Sequence, residues 1–98
     1  KIENDLQINF IIKQTDKPDI YNLHCIEQGV IINYGIAYIG KLKISKMIKE
    51  WFKENNDTTN SCMVNCKYNN RFTKWEVLTI DNDKTIPTEL EIIKKLEN

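Results

Sequence analysis

The residues best placed to do chemistry are Asp83 and Lys84, a carboxylate and an ammonium side by side in the polar run Asp81-Asn82-Asp83-Lys84-Thr85. A charge pair just before a helix is ordinarily a solvated loop; this one is set apart by its company, Trp75 upstream and Pro87 downstream. A second concentration of charge is Lys46, Lys49 and Lys53, which helical spacing puts along one side of a helix, with Lys41 and Lys43 just before it. Such a stripe is commonly a solvated face, and the chemistry it offers is contact with the phosphates of RNA or with an acidic partner. His24, Cys25, Cys62 and Cys66 raise the question of zinc, the last two in C-x-x-x-C spacing. Cys62 and Cys66 share a strand face with Val64, where cysteine acts as a small hydrophobe, and tetrahedral sites usually take paired ligands from turns, so no metal site is expected. Tyr68 and Trp75 carry rings that can stack on nucleic-acid bases, yet their strand positions favour packing in a core.

Those side chains need a scaffold. A chain of 98 residues fits one domain, residues 1–98, and buries about 65% of the surface its unfolded form exposes. With 41% hydrophobic and 29% charged residues it has the composition of an ordinary globular protein. Formal net charge is zero, so any attraction for nucleic acid must be local rather than a property of the whole molecule. The cations are nearly all lysine, Arg71 being the only arginine, and Ile and Asn are abundant; this points to an AT-rich genome of a protist or a large virus. Three cysteines are too few and odd in number for a disulfide scaffold, which favours a reducing compartment. No apolar run approaches the roughly 20 residues needed to cross a bilayer, no signal-peptide layout opens the chain, and no membrane partner is expected. The first residue is Lys1 rather than methionine, which suggests an excised domain.

Leu6, Ile8, Phe10 and Ile12 alternate with polar residues, the period of two that predicts a strand with one buried face. Tyr21, Leu23 and Cys25 predict a second, and the apolar run over residues 30–44, interrupted by Gly35 and Gly40, a third that bends. From Ile44 the period changes: Ile44, Met47, Ile48, Trp51 and Phe52 form a helical stripe, with Ser45 as N-cap and the polar residues 55–60 as its stop. Cys62, Val64, Cys66 and Tyr68 predict a fourth strand, Asn69-Asn70 a tight turn in left-handed conformation, and residues 71–80 a fifth strand. Thr88 with Glu91 reads as a capping box opening a closing helix through Leu90, Ile92, Ile93 and Leu96. Five strands, a helix between the third and fourth and a trailing helix predict a mainly β protein, an OB-fold barrel, with an SH3-like barrel as competitor.

Cys66-Lys67-Tyr68, Lys74-Trp75, Asp83-Lys84 and Pro87 together resemble the carboxyl-terminal OB domain of mRNA capping guanylyltransferases, of the covalent nucleotidyltransferase superfamily. That family ends in a Cys/aromatic strand, a Trp strand and a motif R-x-D-K-x-x-P-N. Here the motif reads Asp81-Asn82-Asp83-Lys84-Thr85-Ile86-Pro87-Thr88, with Asp81 at the arginine position and Thr88 at the asparagine.

The resemblance implies a lid domain that closes over the phosphates of GTP while GMP is transferred, through a lysine-bound intermediate, to the 5' end of RNA. Asp83 and Lys84 would be its catalytic residues, with GTP and Mg the substrate and ion of the parent enzyme and no cofactor bound by this domain alone. Its partners would be the nucleotidyltransferase domain of the same chain, the RNA end and a phosphorylated RNA polymerase tail, in the nucleus or, for a virus, the cytoplasm. The nucleophile motif K-x-D-G is absent; the nearest string, Lys17-Pro18-Asp19-Ile20, reads as a turn. The chain alone should therefore form no covalent GMP adduct. The alternative is a non-catalytic OB module that binds single-stranded nucleic acid or a protein.

Overall fold

The computed structural model describes residues 6–55, 61–83 and 86–97. Its elements in chain order are β1 (Gln7–Gln14), β2 (Tyr21–Glu27), β3 (Val30–Ile36), α1 (Leu42–Glu54), β4 (Ser61–Asn69), β5 (Lys74–Ile80) and α2 (Leu90–Glu97). The five strands form one sheet in the order β3-β2-β1-β4-β5, every named pairing antiparallel. The period of two decides which side faces inward: Ile8, Phe10, Ile12, Tyr21, Leu23, Cys25, Cys62, Val64, Cys66, Trp75 and Val77 are all buried in one contiguous core. The helices add Ile48, Phe52 and Ile93, and Phe52 stacks on Tyr21 with ring centroids 5.7 Å apart.

The edges of the sheet are β3 and β5. Among the described residues a single bridge joins them, just past β3: the Tyr38 amide donates to Trp75 O and the Val77 amide to Tyr38 O, both at 3.0 Å. The structure thus establishes a five-stranded antiparallel sheet with two helices, whereas the expected barrel closure is limited to that one bridge. Gly40 lets the chain clear β5 after it, since a Cβ there would lie 3.0 Å from the Tyr38 ring and 3.2 Å from the Glu76 carboxylate.

Several expected boundaries shift for local reasons. Strand β3 ends at Ile36, and its register against β2 slips between Leu23 and His24, leaving Tyr34 as an extra residue in a bulge beside Gly35. Helix α1 begins at Leu42, with extended Lys41 at the N-cap and no side-chain cap; Ser45 lies inside the first turn, its amide donating to Lys41 O at 3.1 Å. The chain enters the helix as soon as it leaves β5, before Ser45 can cap. The helix stops at Asn55, whose backbone and side-chain amides both donate to Trp51 O; residues 56–60 of the polar run lie outside the described residues. Strand β5 starts at Lys74, not at residue 71.

The largest departure is at Thr88. The β1–β2 ladder runs from Gln14↔Tyr21 to Ile11↔His24, and beyond it Thr88 fits between the two strands. Its amide donates to Asn9 O at 2.9 Å, its Oγ1 accepts from the Asn9 amide at 3.1 Å, and its carbonyl accepts from the Ile26 amide at 3.3 Å. The hydroxyl expected to cap α2 with Glu91 is thus engaged by β1, and the first turn of α2 instead closes on Glu89 O. No helix among the described residues is long and apolar enough to cross a membrane.

Candidate functional site

The β4–β5 hairpin carries Cys62, Cys66, Tyr68 and Trp75 among the residues singled out by sequence, and its register sets which neighbours each one meets. Lys67 faces Glu76, Tyr68 faces Trp75 and Asn69 faces Lys74. Trp75 is only 2% exposed. Its indole N–H donates to Glu97 Oε2 at 2.7 Å, and the Tyr34 hydroxyl donates to the same oxygen. Burial first, and the Glu97 carboxylate second, hold the Tyr34 hydroxyl above the usual tyrosine range, so it stays a donor. Tyr68 meets Trp75 edge-on at 5.1 Å, and Phe10 approaches its other side at 5.7 Å. Trp75 is a core residue tied to α2, not a platform for bases. A cleft of about 480 Å³ opens above it, lined in part by Tyr34, Ile36, Tyr68, Lys74 and Glu97.

The turn joining the strands, residues 70–73, is built differently from the expected Asn69-Asn70 turn. Asn69 Oδ1 accepts from the amides of Arg71 at 3.0 Å and Phe72 at 3.1 Å, an Asx turn that uses the side chain where left-handed backbone was expected. The left-handed residue is Thr73, at φ 52°. This geometry holds Phe72 out, 46% exposed, with its ring 5.0 Å from that of Tyr38 and the Arg71 guanidinium 5.5 Å from its centroid. Phe72, Arg71 and Tyr38 were not candidates from sequence; their signal was an aromatic and the only arginine inside a hairpin turn.

Beyond β5, the loop bearing the motif is pinned at both ends. The Asp81 amide donates to Met63 O at 2.8 Å and Asn82 Oδ1 accepts from the Met63 amide at 3.1 Å. At the far end Pro87 is buried and Thr88 is held between β1 and β2. Between these anchors Asp83 is exposed and Ile86 is 66% exposed; Lys84 and Thr85 lie outside the described residues.

Lys41, Lys43, Lys46, Lys49 and Lys53 are all exposed, Lys41 at the N-cap of α1 and the others along the helix. They are not uniformly free: Lys49 Nζ lies 2.5 Å from Asp19 Oδ1, and that carboxylate raises the Lys49 pKa. The cysteines are sunk in the core as free thiols. Burial pushes the Cys62 thiol up to about 12, and raises Cys66 and Cys25 as well. Metal ligation needs thiolates, so this environment opposes it, and among the described residues no group of three or more His, Cys, Asp and Glu side chains is placed to hold an ion.

No protein-family model matches the chain. It is 33% identical over 95 residues to an uncharacterized protein of Acanthamoeba polyphaga mimivirus, a match that covers 91% of this chain and 28% of that protein. The chain therefore spans less than a third of the curated relative it matches, a protein of a large virus.

Proposed function

We propose that this chain is the OB-fold lid of an mRNA guanylyltransferase, acting with a nucleotidyltransferase domain elsewhere in the same protein. The observation that carries the reading is the loop over residues 81–88: it is fixed to β4 at one end and to β1 and β2 at the other, with Asp83 and Ile86 exposed between those anchors. Support also comes from the strand order β3-β2-β1-β4-β5, which is that of an OB barrel opened at β3 and β5, and from the Tyr38 bridge where those edges meet.

In this reading a lysine of the partner domain attacks the α-phosphorus of GTP, the bond to the β-phosphate oxygen breaks, and pyrophosphate leaves. Lys84 faces the β and γ phosphates with the lid closed and offsets the charge that builds on the leaving group. The lid then opens, an oxygen of the RNA 5' diphosphate attacks the phosphorus, and the P–N bond to the lysine breaks. Mg, as ion of the parent enzyme, supplies further charge compensation when bound. Asp81 stands where the family carries arginine, so in this reading Lys84 carries the compensation without that arginine.

The test is incubation of the longer protein bearing this domain with α-labelled GTP and Mg, followed by acid denaturation and detection of a protein–GMP adduct. Lys84→Ala lowers the initial rate on the order of a hundredfold, and Asp81→Arg raises it. No adduct in the parent protein overturns the reading in favour of a non-catalytic module, and an adduct indifferent to Lys84→Ala removes the assigned role.

A further inference from the structure

The outer face of the β4–β5 hairpin carries a feature that stands whether or not the chain serves as a lid. Lys67 and Lys74 occupy positions alternate to the buried Cys66 and Trp75, so they point outward with Asn69 and Glu76. The turn adds Arg71 and the exposed ring of Phe72, and Tyr38 is brought to the same place by its two backbone bonds astride Glu76. Beside the turn lies a shallow hollow of about 260 Å³, lined by Lys67, Tyr68, Asn69, Asn70, Arg71 and Glu76. Three cations, Lys67, Arg71 and Lys74, against one carboxylate give this face a local positive balance in a chain of zero formal net charge.

We propose that Tyr38, Phe72, Arg71, Lys67 and Lys74 form a binding face for single-stranded nucleic acid, with Phe72 as the stacking platform for one base. In the free protein the Arg71 guanidinium occupies the Phe72 face. A cation over an exposed ring is worth roughly two- to fivefold in an equilibrium, whereas a base stacked on an aromatic side chain is worth about five- to 150-fold. The base therefore displaces the guanidinium, and Arg71 swings to an adjacent phosphate, where its planar fork makes paired hydrogen bonds. Tyr38 backs the platform from below. A duplex hides its base faces, so the face selects single strands; its charge complement is the phosphate backbone, as counterion release requires. The stripe on α1 is the weaker candidate, since Lys49 is already paired with Asp19 and no exposed aromatic ring lies among those lysines.

The test is fluorescence anisotropy of the chain with a labelled ten-nucleotide single-stranded RNA of mixed sequence, at low and physiological salt, beside the same sequence as duplex. Expected are tighter binding to the single strand, weakening with salt, a roughly tenfold loss for Phe72→Ala and retention for Phe72→Tyr. Arg71→Ala, Lys67→Ala and Lys74→Ala each flatten the salt dependence by about one phosphate contact, and Lys46→Glu on α1 changes little. Phe72 is exposed, so circular dichroism should show the same melting curve for Phe72→Ala and the parent. Unchanged affinity in Phe72→Ala, equal binding to duplex, or no binding at low salt overturns the proposal. The adduct assay on Lys84 is untouched by any of these outcomes, so the two readings fail separately.

Discussion

Phe72 and Trp75 stand three positions apart on one hairpin and lead opposite lives. Trp75 is sealed between Phe10 and Tyr68, with its one polar atom satisfied by Glu97. Phe72 has lost the strand's alternation because Asn69 folds the turn with its own side chain, and it faces solvent beside Arg71. The difference teaches that residue type alone does not tell a stacking surface from a core: what decides is whether the ring sits before or after the ladder begins at Lys74. Interior and rim should therefore respond differently to the same kind of change.

The largest effect is expected at the sealed ring. Trp75→Ala leaves a cavity beneath α2 and takes the indole donor from Glu97, leaving it the Tyr34 hydroxyl, costing about 3–5 kcal/mol, a large share of the stability of so small a domain; urea or thermal melts measure it. Phe72→Ala, the matched change at the rim, should stay within about 0.5 kcal/mol, and a cost near that of Trp75→Ala would break the comparison. Between these lies Thr88→Val, which keeps the shape but strips the acceptor from the Asn9 amide, at about 1–3 kcal/mol. If it matched Phe72→Ala instead, the anchoring of the motif loop would be weaker than its hydrogen bonds imply.

The smallest effect concerns His24, on the outward side of β2 beside Lys13, with Nδ1 enclosed and without a hydrogen-bond partner among the described residues. Desolvation chiefly, and the Lys13 charge next, hold its pKa below the ordinary 6.5. A group protonated more readily in the unfolded chain favours unfolding as protons are added, so this contribution is intact above about pH 6.5 and is lost as pH falls from there toward the lowered folded value. The melting temperature should drop from pH 7 to pH 5, and less so in His24→Gln; an equal drop in both would assign the effect to other groups.

The strands of the interior were legible in the sequence because their period of two is a direct image of one wet and one dry face. Ile8, Phe10 and Ile12, Tyr21, Leu23 and Cys25, and Cys62, Val64 and Cys66 are all buried as that alternation requires. The junctions were not legible, because there long-range hydrogen bonds outbid local preference. Thr88 has the residues of a capping box around it, yet its hydroxyl serves Asn9; Ser45 is a good cap on its own, yet the Tyr38 bridge and Gly40 start the helix earlier. The rim was missed for a related reason: the period suggested a strand from residue 71, which would have made Phe72 one more alternating side chain. The exposed placement of Asp83 agrees with a surface loop, while its neighbour Lys84 was singled out by resemblance alone.

The insertion of Thr88 between β1 and β2 has a consequence for how the molecule is made. Asn9 leaves the ribosome 79 residues before the partner that satisfies both its amide and its carbonyl. Until Thr88 arrives, the splayed ends of the first two strands offer open backbone to any other chain nearby. Closing that gap is, among the described residues, the hydrogen-bonded contact of highest sequence separation, so it belongs to the slow, late part of folding. A nascent chain halted before residue 88 would thus have most of its sheet and an unguarded seam, and would be the species most in need of a chaperone.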